Sequence, residues 1–207
     1  MIAPPGVSAA ASGPQVAGGA VFRWLAAALA GASFLSAALS AHLIGLLTAG
    51  GLTAGDAVLV GALIGPMQVA GRVVEFTLAR DLRAQAVGTL AFALLAAALV
   101  LLTQVRGLWA VALPFALLYG FSNGVMTIVR GTVPAELFGP KGYGALLGRL
   151  ARPQFILKSS APLALTLLYT VDPNRTLTPY VLLVVTLVAL GAYRRAIAAA
   201  GRRNTTD

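Results

Sequence analysis

The chain has 207 residues, of which 58% are hydrophobic and 10% charged, with a mean hydropathy of +0.87 and a formal net charge of +9. Because soluble domains carry about 25% charged residues, this composition excludes a water-soluble globular domain and indicates an integral membrane protein. The absence of cysteine excludes a disulfide framework and thiol chemistry.

Six apolar runs follow an N-terminal segment, residues 1–19, whose Ala, Gly, Pro and Ser content predicts flexibility. Most runs approach the ~20 residues that a helix needs to cross the hydrocarbon, where an open sheet cannot satisfy its backbone. The runs cover residues 21–47, 57–78, 85–103, 108–129, 153–171 and 179–193, and the last is short unless it continues through 196–200. We therefore predict an all-α membrane protein with a six-helix transmembrane domain over residues 20–200 and a cytoplasmic tail over 201–207.

Glycine, proline and charged residues separate the runs, at residues 48–55, 80–83, 104–107, 131–144 and 172–175. Proline also falls inside the runs that carry polar residues, which predicts kinked or interrupted helices at Pro66, Pro114, Pro153 and Pro162. Gly61 and Gly65 form a small-xxx-small step, which predicts a close-packing face on the second run.

Basic residues are distributed unequally between the two ends of the runs. If the N-terminus is cytoplasmic, the outer ends carry only Arg106 and Arg175. The inner ends then carry Arg23, Arg80, Arg83, Arg130, Lys141, Arg149, Arg152, Arg194, Arg195, Arg202 and Arg203. This asymmetry predicts a multi-pass protein of the plasma (inner) membrane with both termini cytoplasmic, and it favours anionic lipid over nucleic acid as the partner of the basic residues. A cleaved signal ending at Ala38-x-Ser40 is a weaker alternative, because the apolar run continues to residue 47.

Polar side chains divide the runs into two kinds. The third and sixth runs have no ionisable residue between their ends, which predicts peripheral, lipid-facing helices. The other four have polar residues at helical spacing, which predicts helices that line a cavity. The candidate substrate and proton pathway is formed by Gln68, Arg72 and Glu75 in the second run, Tyr119, Asn123, Thr127 and Arg130 in the fourth, and Gln154 and Lys158 in the fifth. The first run offers Ser36, Ser40 and His42, the only histidine.

Several of these residues also have structural interpretations. Arg72 and Glu75 are spaced to form a local ion pair, and Arg130 is placed to snorkel toward lipid headgroups. Gln68, Asn123 and Thr127 are suited to hydrogen bonds between helices, and His42 to a packing hydrogen bond rather than a proton relay. Lys158 lies inside its run without an obvious acidic partner.

Three segments resemble the C-terminal six-helix half of the major facilitator superfamily of transporters. The sequence Gly65-Pro66-Met67-Gln68-Val69-Ala70-Gly71-Arg72-Val73-Val74-Glu75 is similar to the eighth helix of bacterial members. Leu118-Tyr119-Gly120-Phe121-Ser122-Asn123-Gly124, followed by Arg130-Gly131-Thr132-Val133-Pro134, resembles the tenth helix. Phe138-Gly139-Pro140-x-Gly142-Tyr143-Gly144-Ala145-Leu146-Leu147-Gly148-Arg149 resembles the cytoplasmic start of the eleventh.

The resemblance covers about residues 20–200 and implies transport of a small solute by alternating access, driven in many such carriers by protons. It also implies that the first, second, fourth and fifth helices line the cavity. Members of the family have two six-helix halves, so we expect this chain to pair with a second half or a second copy of itself, and residues 1–19 to resemble the linker between halves. A split transporter and a truncated gene product both fit this expectation.

Two other classes of function compete with transport. A membrane enzyme is disfavoured because no Gly-x-Ser-Gly motif is present and the acidic residues are scattered, mostly at run ends. One histidine and no cysteine exclude a zinc site of the usual kind, and we expect no cofactor or metal. A non-transporting membrane subunit, or an inactive fragment, remains the main rival.

Overall fold

A computed structural model describes residues 19–78 and 81–203, and all regular secondary structure in these ranges is helical. The helices are α1 (Ala20–Ala49), α2 (Ala54–Leu78), α3 (Ala84–Thr103), α4 (Trp109–Phe138), α5 (Tyr143–Val171) and α6 (Thr178–Arg203). The all-helical prediction is confirmed for these ranges, and the sixth run does continue beyond residue 200. Most of the predicted flexible segment, and Arg80 in the second predicted break, lie outside the described residues.

The predicted break over residues 131–144 is wrong, because only residues 139–142 interrupt the helices. α4 continues through Pro134 to Phe138, where Leu137 and Phe138 pack on the hydrophobic core. The helix ends at Gly139, whose φ of 74° favours glycine. α5 then begins ten residues before the predicted start, with the Tyr143 hydroxyl donating to the carbonyl oxygen of Gly131 at 2.8 Å.

The prolines inside the helices do not interrupt them. α2 continues past Pro66, α4 past Pro114, and α5 past both Pro153 and Pro162. A proline removes only one backbone N–H from the helix ladder, and packing against neighbouring helices stabilises the remaining turns. The expectation of interrupted helices is therefore not met in the described residues.

Five of the helices, all except α5, are long and apolar enough to cross a membrane. α5 has 29 residues, but its first seventeen residues contain Arg149, Arg152, Gln154, Lys158 and Ser159, which lower its hydropathy. It packs along α1 in the bundle. The composition and these five helices support a membrane protein.

The helix connections alternate between the two ends of the bundle. At one end, the Gly107 amide donates to the Gly50 carbonyl at 2.8 Å, and Arg175 contacts Gly45, so the α1–α2, α3–α4 and α5–α6 connections meet there. At the other end, Glu136 of α4 accepts hydrogen bonds from the backbone N and Nε2 of Gln85, both at 3.1 Å. The start of α1 and the end of α6 border the same recess as Glu136, and we call this side the terminal end.

Two hydrophobic clusters fill the bundle, one in each half of its length. α1 and α4 supply nearly half of their buried side chains, while α2 and α5 lie at the edges and expose large apolar side chains. α3 packs between α4 and α6, where the buried hydroxyl of Ser122 donates to the Ala91 carbonyl at 2.7 Å. The fold therefore leaves α2 and α5 less covered than the two helices that were predicted to be peripheral.

α2 and α4 approach each other closely enough for their backbones to touch, and the predicted glycine step does not form this contact. Gly65 has no atom near the position of a Cβ, whereas Gly124 contacts the backbone of Gln68 and Gly71 contacts the Phe121 carbonyl. A Cβ at Gly120 would lie 2.8 Å from the carbonyl oxygen of Ile64. Three glycines other than the predicted pair thus let these two backbones touch.

Asp172 fixes the start of α6 at the end opposite the termini. Its carboxylate accepts hydrogen bonds from the backbone N of Thr176, Leu177 and Thr178, each at 2.9 Å, and from the Thr178 hydroxyl at 2.9 Å. Burial raises the pKa of this carboxyl, but the hydrogen bonds from Thr178, Thr176 and Leu177 together outweigh burial and hold the pKa below its usual value.

We expect Asp172→Ala to lower the free energy of unfolding by about 2 kcal/mol, because three backbone N–H donors, of which that of Thr178 is buried, lose their acceptor. Since the folded-state pKa is depressed, the contribution of Asp172 is present above the unfolded value of about 3.9 and is lost as pH falls below it. Thermal unfolding at pH 7 and pH 3 measures both effects. A difference between wild type and Asp172→Ala that is the same at both pH values would contradict this account.

Candidate functional site

Two recesses flank α1 near its middle, where Ser36 and Ser40 lie one turn apart. The first, of about 380 Å³, lies between α1, α2 and α4, and its polar lining is formed by Ser40, Gln68 and Tyr119. The second, of about 600 Å³, lies between α1 and α5 and is lined by both serines together with Phe155, Lys158 and Ser159. Ser40 borders both, so α1 forms the ridge between them.

Tyr119 connects α4 to this ridge. The side chain is 3% exposed, stacks on Phe115 with 5.8 Å between ring centroids, and lines a small cavity together with Ser36. This third cavity, of about 10 Å³, is also lined by Asn123. Its volume is about that of one water, so a bound water there would join the Ser36, Tyr119 and Asn123 side chains.

The remaining candidates on α4 and α5 are placed differently. The Thr127 hydroxyl is exposed and donates to the Asn123 carbonyl of its own helix at 3.0 Å. Gln154 accepts from the Ser33 hydroxyl of α1 at 3.3 Å and donates to the Leu150 carbonyl at 3.0 Å. Gln154 thus forms a hydrogen bond between α5 and α1, whereas Lys158 is exposed in the second recess.

The polar stripe on α2 is not a local ion pair. Gln68 borders the first recess, Arg72 is exposed and Glu75 is half-buried, and within the described residues neither Arg72 nor Glu75 has a hydrogen-bond or ion-pair partner. The interpretation as a static Arg72–Glu75 pair is therefore wrong. The predicted hydrogen bonds between helices from Gln68 and Asn123 are likewise not observed among the described side chains.

Arg130 lies inside the bundle rather than at its surface. The residue is half-buried, and its Nε and Nη2 atoms are buried without a hydrogen-bond partner in the described part of the chain. A snorkelling arginine exposes its guanidinium, and the burial of two of the three guanidinium nitrogens disfavours that interpretation. Tyr119 and Arg130 lie about three turns apart on one face of α4, so the charge is on the side of the helix that borders the recesses.

A polar cluster near the end opposite the termini was only partly anticipated from the sequence. His42 Nε2 lies 3.1 Å from the Pro162 carbonyl oxygen, and its ring meets Tyr169 edge-on at 5.2 Å. Arg175 lies over the same tyrosine, 4.6 Å from the ring centroid. The interpretation of His42 as a packing residue fits this geometry. Tyr169 and Arg175 were missed as its partners because their meeting depends on the packing of α1 on α5.

The recesses are lined by hydrogen-bonding groups, and Lys158 adds a positive charge to the second recess. No cluster of three or more His, Cys, Asp or Glu side chains that would hold a metal occurs in residues 19–78 and 81–203. The polar groups at the recesses come from α1, α2, α4 and α5, and such groups suit reversible binding of a small polar solute. No protein-family model, curated protein or solved structure matches this chain.

Proposed function

We propose that this chain is a six-helix half of a secondary transporter, resembling the major facilitator superfamily, and that it moves a small solute across the membrane by alternating access. The observation that carries the proposal is that Ser40, Gln68, Tyr119 and Lys158 come from four different helices and border two adjoining recesses. Polar groups inside apolar helices are costly, and their gathering around one ridge is typical of a solute pathway.

The recesses need a second wall, which supports pairing with a second half or a second copy of the chain. Both recesses are open, and α2 and α5, the helices beside them, expose Phe76, Phe155 and Val171 to 75%, 66% and 75%. Lipid satisfies apolar side chains but not Lys158, Ser159 or Arg72 next to them. A facing protein surface would cover both kinds of side chain and enclose the solute.

Reconstitution tests this proposal. Purified wild-type chain, alone and with any six-helix protein that co-purifies with it, is placed in proteoliposomes, and uptake from a mixture of small metabolites is followed by mass spectrometry of the vesicle contents. Uptake of a defined solute is expected. Gln68→Leu should reduce this uptake at least about tenfold, because the variant loses one hydrogen bond to the solute and changes the shape of the recess.

A matched control comes from the opposite side of the bundle. Thr186 on α6 is buried and its hydroxyl donates only to the Leu182 carbonyl of its own helix, at 2.8 Å. Thr186→Val should leave uptake unchanged. A folded, paired chain that moves no solute would overturn the transport proposal in favour of a non-transporting subunit.

The proposed orientation has both termini in the cytoplasm, with the terminal end of the bundle inside. The start of α1 and the end of α6 share that end, and Arg23, Arg83, Lys141, Arg194 and Arg195 are among the basic residues of the helix ends there. We expect reporter fusions to place Gly51 outside and Asp207 inside the cell. Reporters on the same side of the membrane would contradict the six-span arrangement.

A further inference from the structure

The guanidinium of Arg130 has an unused binding edge. Its buried, unpartnered donors are Nε and Nη2, which lie on the same side of the planar group. The N–H bonds of these two atoms run nearly parallel and match the two oxygens of a carboxylate or phosphate in a bidentate contact. The third nitrogen, Nη1, is not among the buried, unpartnered atoms. The unpartnered donors of Arg130 are therefore both on the Nε–Nη2 edge, which is the edge that best binds an oxyanion.

No acidic side chain of the described residues occupies this edge. Asp56 binds Thr53 at the start of α2, Glu136 binds Gln85, and Asp172 caps α6. A buried charge without a counter-charge is strongly unfavourable, and so are buried donors without acceptors. An anionic oxygen group would satisfy this buried edge of Arg130, and the described chain does not itself supply one.

The position of Arg130 connects this edge to the proposed solute pathway. Tyr119, Asn123 and Arg130 share one face of α4, about 16 Å along the helix from first to last at 1.5 Å per residue. Tyr119 and Asn123 border the central cavities, and Arg130 follows on the same face of α4, closer to its C-terminal end. Lys158 and Arg72 add positive charge to the surrounding walls, against the single carboxylate of Glu75.

We propose that the transported solute is an anion, and that the Nε–Nη2 edge of Arg130 binds its carboxylate or phosphate group. That the anion is transported rests on the proposed function. The binding of an anion by Arg130 does not depend on transport. The remaining cations on α2 and α5 attract the anion into the recesses, and Arg130 holds it by two parallel hydrogen bonds.

Thermal unfolding of the purified full-length chain in detergent tests the site without a transport assay. The probes are succinate, benzoate and inorganic phosphate, each at matched ionic strength, with succinamide and benzamide as uncharged controls. At least one anion is expected to raise the melting temperature by several degrees, while the amides leave it unchanged. Protection by phosphate but not by the carboxylates, or the reverse, identifies which oxyanion fits.

Substitutions at Arg130 separate binding from folding. Arg130→Gln should abolish the protection, and Arg130→Lys, which keeps the charge but loses the fork, should weaken it at least tenfold in half-maximal concentration. Without anion, Arg130→Gln should melt no lower than wild type, because the buried unpaired charge is gone. Arg194, an exposed arginine of α6, provides the control, and Arg194→Gln should keep full protection.

Three outcomes would overturn the inference. The first is equal protection of wild type and Arg130→Gln, and the second is protection by the amides as well as the anions. In the third, the wild-type chain forms an oligomer that no probe protects against thermal unfolding and that Arg130→Gln dissociates. A carboxylate of a partner chain would then occupy the Nε–Nη2 edge of Arg130. Anion protection without uptake in proteoliposomes would reject transport but keep the site, whereas uptake of a neutral solute without anion protection would reject the site but keep transport.

Discussion

Gly124→Ala is expected to destabilise the bundle by about 3 kcal/mol, the upper end of the usual cost of overpacking, because the added methyl group meets backbone rather than a movable side chain. Gly124 of α4 contacts the backbone of Gln68 in α2, and Gly120 and Gly71 extend this contact in both directions. Separation of α2 from α4 would also displace Gln68 and Tyr119, which border the same recess.

Gly191 of α6 offers the matched control, because no atom lies near the position of its Cβ. Gly191→Ala should stabilise the chain by about 0.5–1 kcal/mol through the higher helix propensity of alanine. Equilibrium unfolding in mixed detergent micelles compares the two variants with wild type. If Gly124→Ala unfolds at the same denaturant concentration as Gly191→Ala, the α2–α4 contact is looser than the structure indicates.

The helices were predictable from the sequence because long apolar runs in a chain with so few charges leave the backbone no alternative in lipid. The division into polar-bearing and apolar helices also followed from single residues, since Lys158 and Gln68 are too costly to face lipid at depth. Both arguments use composition along one helix and need no knowledge of neighbouring helices.

Features that depend on how helices meet were not predictable. Sequence spacing placed Arg72 and Glu75 within reach of each other, but Arg72 is exposed, Glu75 is half-buried and no ion pair joins them in the described part of the chain. Gly61 and Gly65 had the same spacing as a packing motif, yet the contact with α4 uses Gly71, Gly120 and Gly124. The spacing of small residues shows which faces can come close but not which face has a partner.

The boundary between α4 and α5 shows a similar limit. Proline and glycine between residues 131 and 144 predicted a long loop. Tertiary contacts of Glu136 with Gln85 and of Tyr143 with Gly131 extend both helices into this segment. Local sequence preferences are weak compared with such contacts, and they were overridden here.

Glu75→Gln is expected to abolish pH-driven accumulation of the solute in the assembled transporter and to leave solute exchange at equal pH largely intact. Glu75 is half-buried on α2 and has no hydrogen-bond or ion-pair partner among the described residues, and an ionisable side chain inside a membrane helix typically marks a solute or proton pathway. It lies seven residues beyond Gln68, about 10 Å along the helix axis, and thus nearer the terminal end than the recesses. This position suits a group that takes up or releases a proton at one side of the membrane rather than one that contacts the solute.

Uptake into proteoliposomes with and without an imposed pH gradient measures this effect, and counterflow at equal pH measures exchange. Glu136→Gln is the matched control, because Glu136 binds Gln85 at the terminal end and an amide still accepts the hydrogen bond from the Gln85 backbone. Since Arg72 and Glu75 do not pair, Arg72→Ala and Glu75→Ala should have additive effects on stability, to within about 0.5 kcal/mol. Full accumulation by Glu75→Gln under a pH gradient would show that the driving proton binds elsewhere, and a double variant more stable than either single variant would restore the ion-pair interpretation.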